Sequence, residues 1–126
     1  MDKVLLIDGK EVGFRATALT PRFYRHTIGR DILQDFSRLE KAYRRAAALP
    51  DTATEEERRE AQLSALDVEI FENAAYIMAR QYDPAVPDSP DEWLDGFATF
   101  SIYEILPAIL DLWRLNGATT AKPKKK

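Results

Sequence analysis

Apolar and polar positions change period near residue 18. The opening runs "KVLLI" (3–7) and "VGFRAT" (12–17) are short and apolar-rich, and they flank "DGKE" (8–11). An Asp-Gly pair favours the positive backbone angles of a tight hairpin turn, so residues 3–17 read as a β-hairpin. A hairpin this short is marginal alone and needs helices to lean on. From Thr20-Pro21 onward the spacing is helical, with Thr20 as a capping hydroxyl and Pro21 at the first helical position. Gly29 is expected to break the first helical piece. Ile32, Phe36, Leu39 and Tyr43 then recur on one helix face.

A loop is expected at "ALPDTAT" (48–54). Thr54 with Glu57 matches a capping box and is read as opening a long helix that runs through "LSALDVEIFENAAYIMARQYD" (63–83). Leu66, Ile70, Ala74 and Ile77 share one face of it. Val68, Phe71, Ala75, Met78 and Tyr82 share an adjacent one. So broad an apolar surface marks a central, buried helix. The three prolines of "DPAVPDSPD" (83–91) define a loop. Ser89-Pro90 with Glu92 starts a short helix, and Ser101 with Glu104 starts a last one, "IYEILPAILDLWRL", expected to stop at Gly117. Pro107 demands either a kink in that helix or a later start. The fold expected is mainly α, a helical domain over residues 1–117 with helices within 21–115 and a short N-terminal β-hairpin. Residues 118–126 are expected to be a flexible lysine-rich tail.

Composition narrows the chemistry. The chain has 126 residues, 45% of them hydrophobic, enough for one domain with a moderate core. It has no cysteine, which removes disulfides, zinc-thiolate sites and a thiol nucleophile. Residues 1–121 carry 14 basic and 21 acidic side chains, a net charge of −7, and the remaining basic residues are Lys122, Lys124, Lys125 and Lys126. A body of that sign repels phosphate backbones, so nucleic acid is not an expected partner. Glu104 and Asp111 interrupt the most apolar stretch, and the N-terminal apolar run is too short for a secretory signal. A soluble, cytosolic protein without membrane contact is expected.

Motifs for catalysis are sparse. His26 is the only histidine, set in "FYRHTIGRD" without an oriented partner, and it reads as a surface or packing residue. The acidic group Asp83, Asp88, Asp91, Glu92 and Asp95 does not have calcium-loop spacing, and prolines interrupt it. Glu69, Glu72 and Asn73 have helical spacing but lack the histidines of a carboxylate-bridged metal site. No enzyme activity, cofactor or metal is expected. The C-terminal third is richer: Trp93, Phe97, Phe100, Tyr103 and Trp113 concentrate aromatic area that serves cores and interface hot spots alike. They are the candidate partner-binding residues.

The run "LDVEIFENAAYIMARQYDPAVPDSPDEWLDGFATFSIYEILPAILDLWRLN" with a lysine-rich end resembles the tail assembly chaperones of long, non-contractile-tailed phages and prophages of Gram-positive bacteria. The upstream "YRHTIGRDILQDFSRLEKA", with Tyr24-Arg25, Gly29 and Asp31, and the opening hairpin resemble the same family. The insert at 46–62 is the least characteristic part. The resemblance implies a non-catalytic protein of the host bacterial cytoplasm, absent from the mature virion. It would bind the long, helical tape measure protein and help recruit the major tail tube protein. Family members are commonly made also as a longer form by ribosomal frameshifting. Under that reading Lys124, Lys125 and Lys126 mark the frameshift region, and the longer form of the chain itself is a further partner, as is a second copy in a homo-oligomer. A plain solubilising tail is the competing reading of the lysines. A structural tail completion or connector protein of the virion is the rival function.

Overall fold

A computed structural model describes residues 1–120, with side chains through Arg114. Lys124, Lys125 and Lys126 lie outside the described residues. The chain is mainly α-helical with an N-terminal antiparallel hairpin, β1 (Asp2–Ile7) and β2 (Lys10–Arg15). Asp8 and Gly9 form the two-residue turn, with φ of 53° and 75°. Six helices follow: α1 (Thr20–Ile28), α2 (Ile32–Ala47), α3 (Glu55–Glu60), α4 (Ala65–Tyr82), α5 (Pro90–Asp95) and α6 (Ile102–Thr120).

Helix α4 is the centre. Ile70, Phe71 and every residue from Ala74 to Ala79 are buried in it, and β2, α1, α2, α5 and α6 all pack on it. Around it lie Tyr24 from α1, Ile32, Phe36 and Leu39 from α2, Trp93 from α5, and Leu106, Ile109 and Leu110 from α6. The proline-rich loop before α5 is pinned to α4. The Tyr76 hydroxyl donates to the Pro87 carbonyl at 2.7 Å, and the Arg80 guanidinium donates to the Val86 and Pro87 carbonyls at 2.7 and 3.0 Å.

Helix ends refine the sequence reading in three places. Thr54 and Glu57 do close a capping box, but α3 ends at Glu60, and a second box between Ser64 and Asp67 starts α4. The single long helix expected after Thr54 is therefore two helices. α3 buries no side chain and is held by its caps, an Arg59–Glu55 pair at 3.7 Å and a bond from the Arg58 guanidinium to the Asp51 carbonyl at 2.8 Å. Thr20 is not the cap of α1. The cap position belongs to Leu19, and the Thr20 hydroxyl is used instead in a bond to the Gln81 side chain and in accepting the Thr17 N–H at 2.9 Å. Finally, α6 starts at Ile102, passes through Pro107 and continues beyond Gly117 to Thr120. A glycine inside a helix costs only about 1 kcal/mol relative to alanine, so it need not end one.

The hairpin is gripped by α4 at Gly13. A Cβ built there would come within 2.1 Å of the Tyr82 ring, so only glycine admits that ring against the strand. The Arg15 guanidinium lies 5.5 Å from the centre of the same ring. Gly13→Ala is expected to displace Tyr82 and lower stability by about 1–3 kcal/mol, as overpacking does. Urea unfolding measures this, and adding Tyr82→Ala should recover part of the loss. If Gly13→Ala alone is neutral, the close approach is not a constraint.

Candidate functional site

The aromatic residues of the C-terminal third divide into a buried hub and an exposed outpost. Trp93 is 6% exposed and touches rings on several sides. Phe14, Tyr76, Phe97 and Phe100 lie 6.4, 5.9, 5.4 and 5.2 Å from it between ring centres, three of them edge-on. Phe100 extends the cluster to Phe71 at 5.4 Å and to Phe97 at 5.5 Å. Edge-to-face pairs at these separations add to the gain from burial alone. Trp113 stands apart, partly buried against Phe36 at 5.1 Å. Trp93 is thus a core residue, which joins β2, α4 and α5. Phe97, Phe100 and Trp113 pack half-buried on the core.

Tyr103 differs. It is 53% exposed on the first turn of α6 and lines an open groove of about 490 Å³ with Ala46 and Leu49 from the end of α2, and Glu55, Arg58, Arg59 and Gln62 around α3. Pro107 has no N–H to offer the Tyr103 carbonyl one helical turn earlier, so this residue presents a ring together with a carbonyl that lacks its usual helical donor. A mixed lining, with Leu49 and Tyr103 beside Glu55, Arg58 and Arg59, suits a helix that carries aliphatic and charged residues on one face.

Two further surfaces escaped the sequence reading. Leu33, Gln34, Ser37, Arg38, Lys41 and Arg45 line a groove of about 560 Å³ along α2. Its signal in the sequence is the spacing of Arg38, Lys41 and Arg45, which sets three cations on one helix face. Leu19, Phe23 and His26 of α1, with Arg22 and Gln81, line a mostly apolar depression of about 400 Å³. His26 is exposed there, as a surface residue.

The strongest electrostatics are structural. Asp35 is buried, and both its oxygens are used. Oδ1 accepts from Arg30 at 2.7 Å, and Oδ2 accepts from Arg30 at 2.8 Å and from the Tyr24 hydroxyl at 2.7 Å. Burial pushes this carboxyl up, but the hydrogen bonds from Arg30 and Tyr24 and the Arg30 charge override it and hold it below the ordinary range. The Tyr24 phenol is driven up, by burial first and then by Asp35. The group ties α1 to α2 across Gly29. Asp67 is likewise buried and held low. Burial opposes its charge, while bonds from Ser64 and then Arg38 favour it. Among the acidic residues of the 83–95 stretch, Asp83 accepts the Ala85 N–H and Asp88 pairs with Arg80 at 3.0 Å, both local structural uses. Among the described residues no three histidine, aspartate or glutamate side chains gather as a ligand set for a metal ion. No helix among them is long and apolar enough to cross a membrane.

No family model, no curated protein and no solved structure matches the chain.

Proposed function

We propose that this chain is a phage tail assembly chaperone, a non-catalytic protein of the host bacterial cytoplasm that is absent from the mature virion. It binds the tape measure protein and helps bring the major tail tube protein to it. The reading rests on the sequence resemblance of residues 66–116 and of the stretch 24–42. The observation that carries it into the structure is the exposed Tyr103 at the mouth of an open groove between helices. A long amphipathic helix exposes a continuous apolar stripe that aggregates unless covered. The Tyr103 groove offers such a helix an aromatic anchor, while Arg58, Arg59 and Glu55 meet its charged flank.

Co-expression tests this. The chain should move the tape measure protein from the insoluble to the soluble fraction. Tyr103→Ala should weaken the pair by about 2 kcal/mol or more, as loss of an aromatic anchor does, without lowering the melting temperature. A folded Tyr103→Ala variant that solubilises the tape measure protein as well as wild type removes the groove from the interface. Failure of wild type in the same assay removes the function itself. Mass spectrometry of purified particles separates this reading from that of a completion or connector protein, which would be retained in the virion.

A further inference from the structure

The two edges of the hairpin are treated differently. β2 packs on α4, with Tyr82 over Gly13 and Arg15 directed to the Gln81 carbonyl. β1 meets the start of α6 near Leu5–Ile7, and among the described residues no strand pairs with its outer edge. The phase of the hairpin shows which backbone groups that edge presents. Met1 and Ala16 exchange both backbone bonds, at 3.1 and 2.9 Å, so in the observed register Lys3–Phe14, Leu5–Val12 and Ile7–Lys10 are the hydrogen-bonded pairs. The N–H and C=O groups of Val4 and Leu6 therefore point away from β2. Their side chains stand on the outer face of the hairpin, 51% and 74% exposed. Natural edges are usually blunted by a charge, a proline or a bulge at such positions, and here two aliphatic residues stand instead.

We propose that β1 is an interface for a second copy of this chain, paired antiparallel through β1 itself with Leu5 on the two-fold axis. Two matches single out this partner and register. On the outer face, Val4 sits opposite the second copy's Leu6 and Leu6 opposite its Val4, and each of these pairs exchanges backbone N–H···O bonds. The four exposed aliphatic side chains become cross-strand neighbours in one patch. On the inner face, the second copy's Lys3 falls opposite Ile7. A small cavity of about 130 Å³ lies beside it, between the end of β1 and the start of α6, with Leu5, Leu6, Ile7, Ser101, Glu104 and Ile105 among its lining residues. Lys3 and Glu104 are both exposed, and among the described residues neither has a partner of opposite charge within the chain. The register thus brings an unpaired cation beside an unpaired carboxylate, twice by symmetry. The result is a four-stranded sheet across two copies, and it leaves the Tyr103 groove outside the contact.

Sedimentation of the full chain between about 10 μM and 1 mM covers the range in which a contact below standard interface size associates. A concentration-dependent dimer is expected. With rising concentration the Val4 and Leu6 amides should exchange more slowly with solvent, while the Leu5 amide is already protected at every concentration by Val12. Leu6→Lys should raise the dissociation constant at least tenfold, because it places a charge in the patch of each copy. Val4→Pro removes an amide that the hairpin does not use and should abolish the dimer, with a thermal melt to establish that the monomer is intact. Lys3→Glu should weaken pairing by about threefold, and Lys3→Glu with Glu104→Lys should restore it. A chain that stays monomeric up to 1 mM overturns the proposal. So does a dimer indifferent to Leu6→Lys, which would place the contact elsewhere.

Discussion

Trp93→Ala should cost about 3–5 kcal/mol of stability, the range for deleting a buried aromatic side chain. The whole of that loss falls on the fold, because Trp93 meets Phe14, Tyr76, Phe97 and Phe100 at once and so holds the hairpin, α4, α5 and the connection to α6 around one ring. Domains of this size are stable by only about 5–15 kcal/mol, so the variant should unfold at markedly lower urea concentration and melt well below wild type. Any loss of tape measure binding in this variant follows from unfolding. Tyr103→Ala is the informative comparison, since its ring is mostly in solvent and its removal leaves no cavity. A Trp93→Ala protein with wild-type stability would mean that the aromatic hub does not organise the core.

The second large effect is expected at Asp35. Asp35→Ala leaves the Tyr24 hydroxyl buried without its acceptor and the Arg30 guanidinium without its partner. Arg30 is about half in water, so its share is discounted, and the total comes to about 2–4 kcal/mol at pH 7. The pH dependence follows from the direction of the shift. A carboxyl held below its ordinary value in the folded chain binds fewer protons folded than unfolded, so its stabilisation is complete above the unfolded value and is lost as pH falls through the folded one. Asp67 acts in the same direction. Glu72 opposes both. Burial first, then Glu69 and Asp91, raise it, so its contribution is present at low pH and is lost as pH rises through its folded value. Wild type should therefore lose stability below about pH 4, where aspartates ordinarily titrate. The gap between wild type and Asp35→Ala should shrink over the same interval, down to the packing difference alone. A gap that stays constant from pH 7 to pH 3 would show that the carboxylate charge is not what ties α1 to α2.

Much of this architecture could be read from local patterns, and where reading failed the cause is nonlocal. The hairpin turn was legible because Asp8-Gly9 admits few alternatives. The burial of α4 was legible because two adjacent apolar faces leave little surface for water. The break before Ser64 was hidden, because Leu63 and Leu66 carry apolar spacing across it and Ser64-Asp67 competes with the earlier Thr54-Glu57 signal. Thr20 looked like a cap, and its hydroxyl is drawn off by Gln81, 61 residues away. Composition could not separate Trp93 from Tyr103, since both lie in aromatic-rich segments that follow a serine closely. Only the packing of α5 and α6 on α4 turns one inward and the other out. The same holds for "VLLI" in β1, where both faces are equally aliphatic and the choice of Leu5 and Ile7 for the interior is made by α6 and the rest of the core.

Asp67 occupies two networks with one carboxylate. Its Oδ2 accepts the Ser64 N–H at 3.0 Å and thereby caps the start of α4, while Oδ1 accepts from Arg38 of α2 at 2.9 Å. Neither helix can give up this residue privately. Fraying of the first turn of α4 releases Arg38, and separation of α2 leaves the cap carboxylate buried without its cation. Opening at this point should therefore be all-or-none across the two helices, and their amides should exchange as one cooperative unit, distinct from α3, which is free to melt by itself.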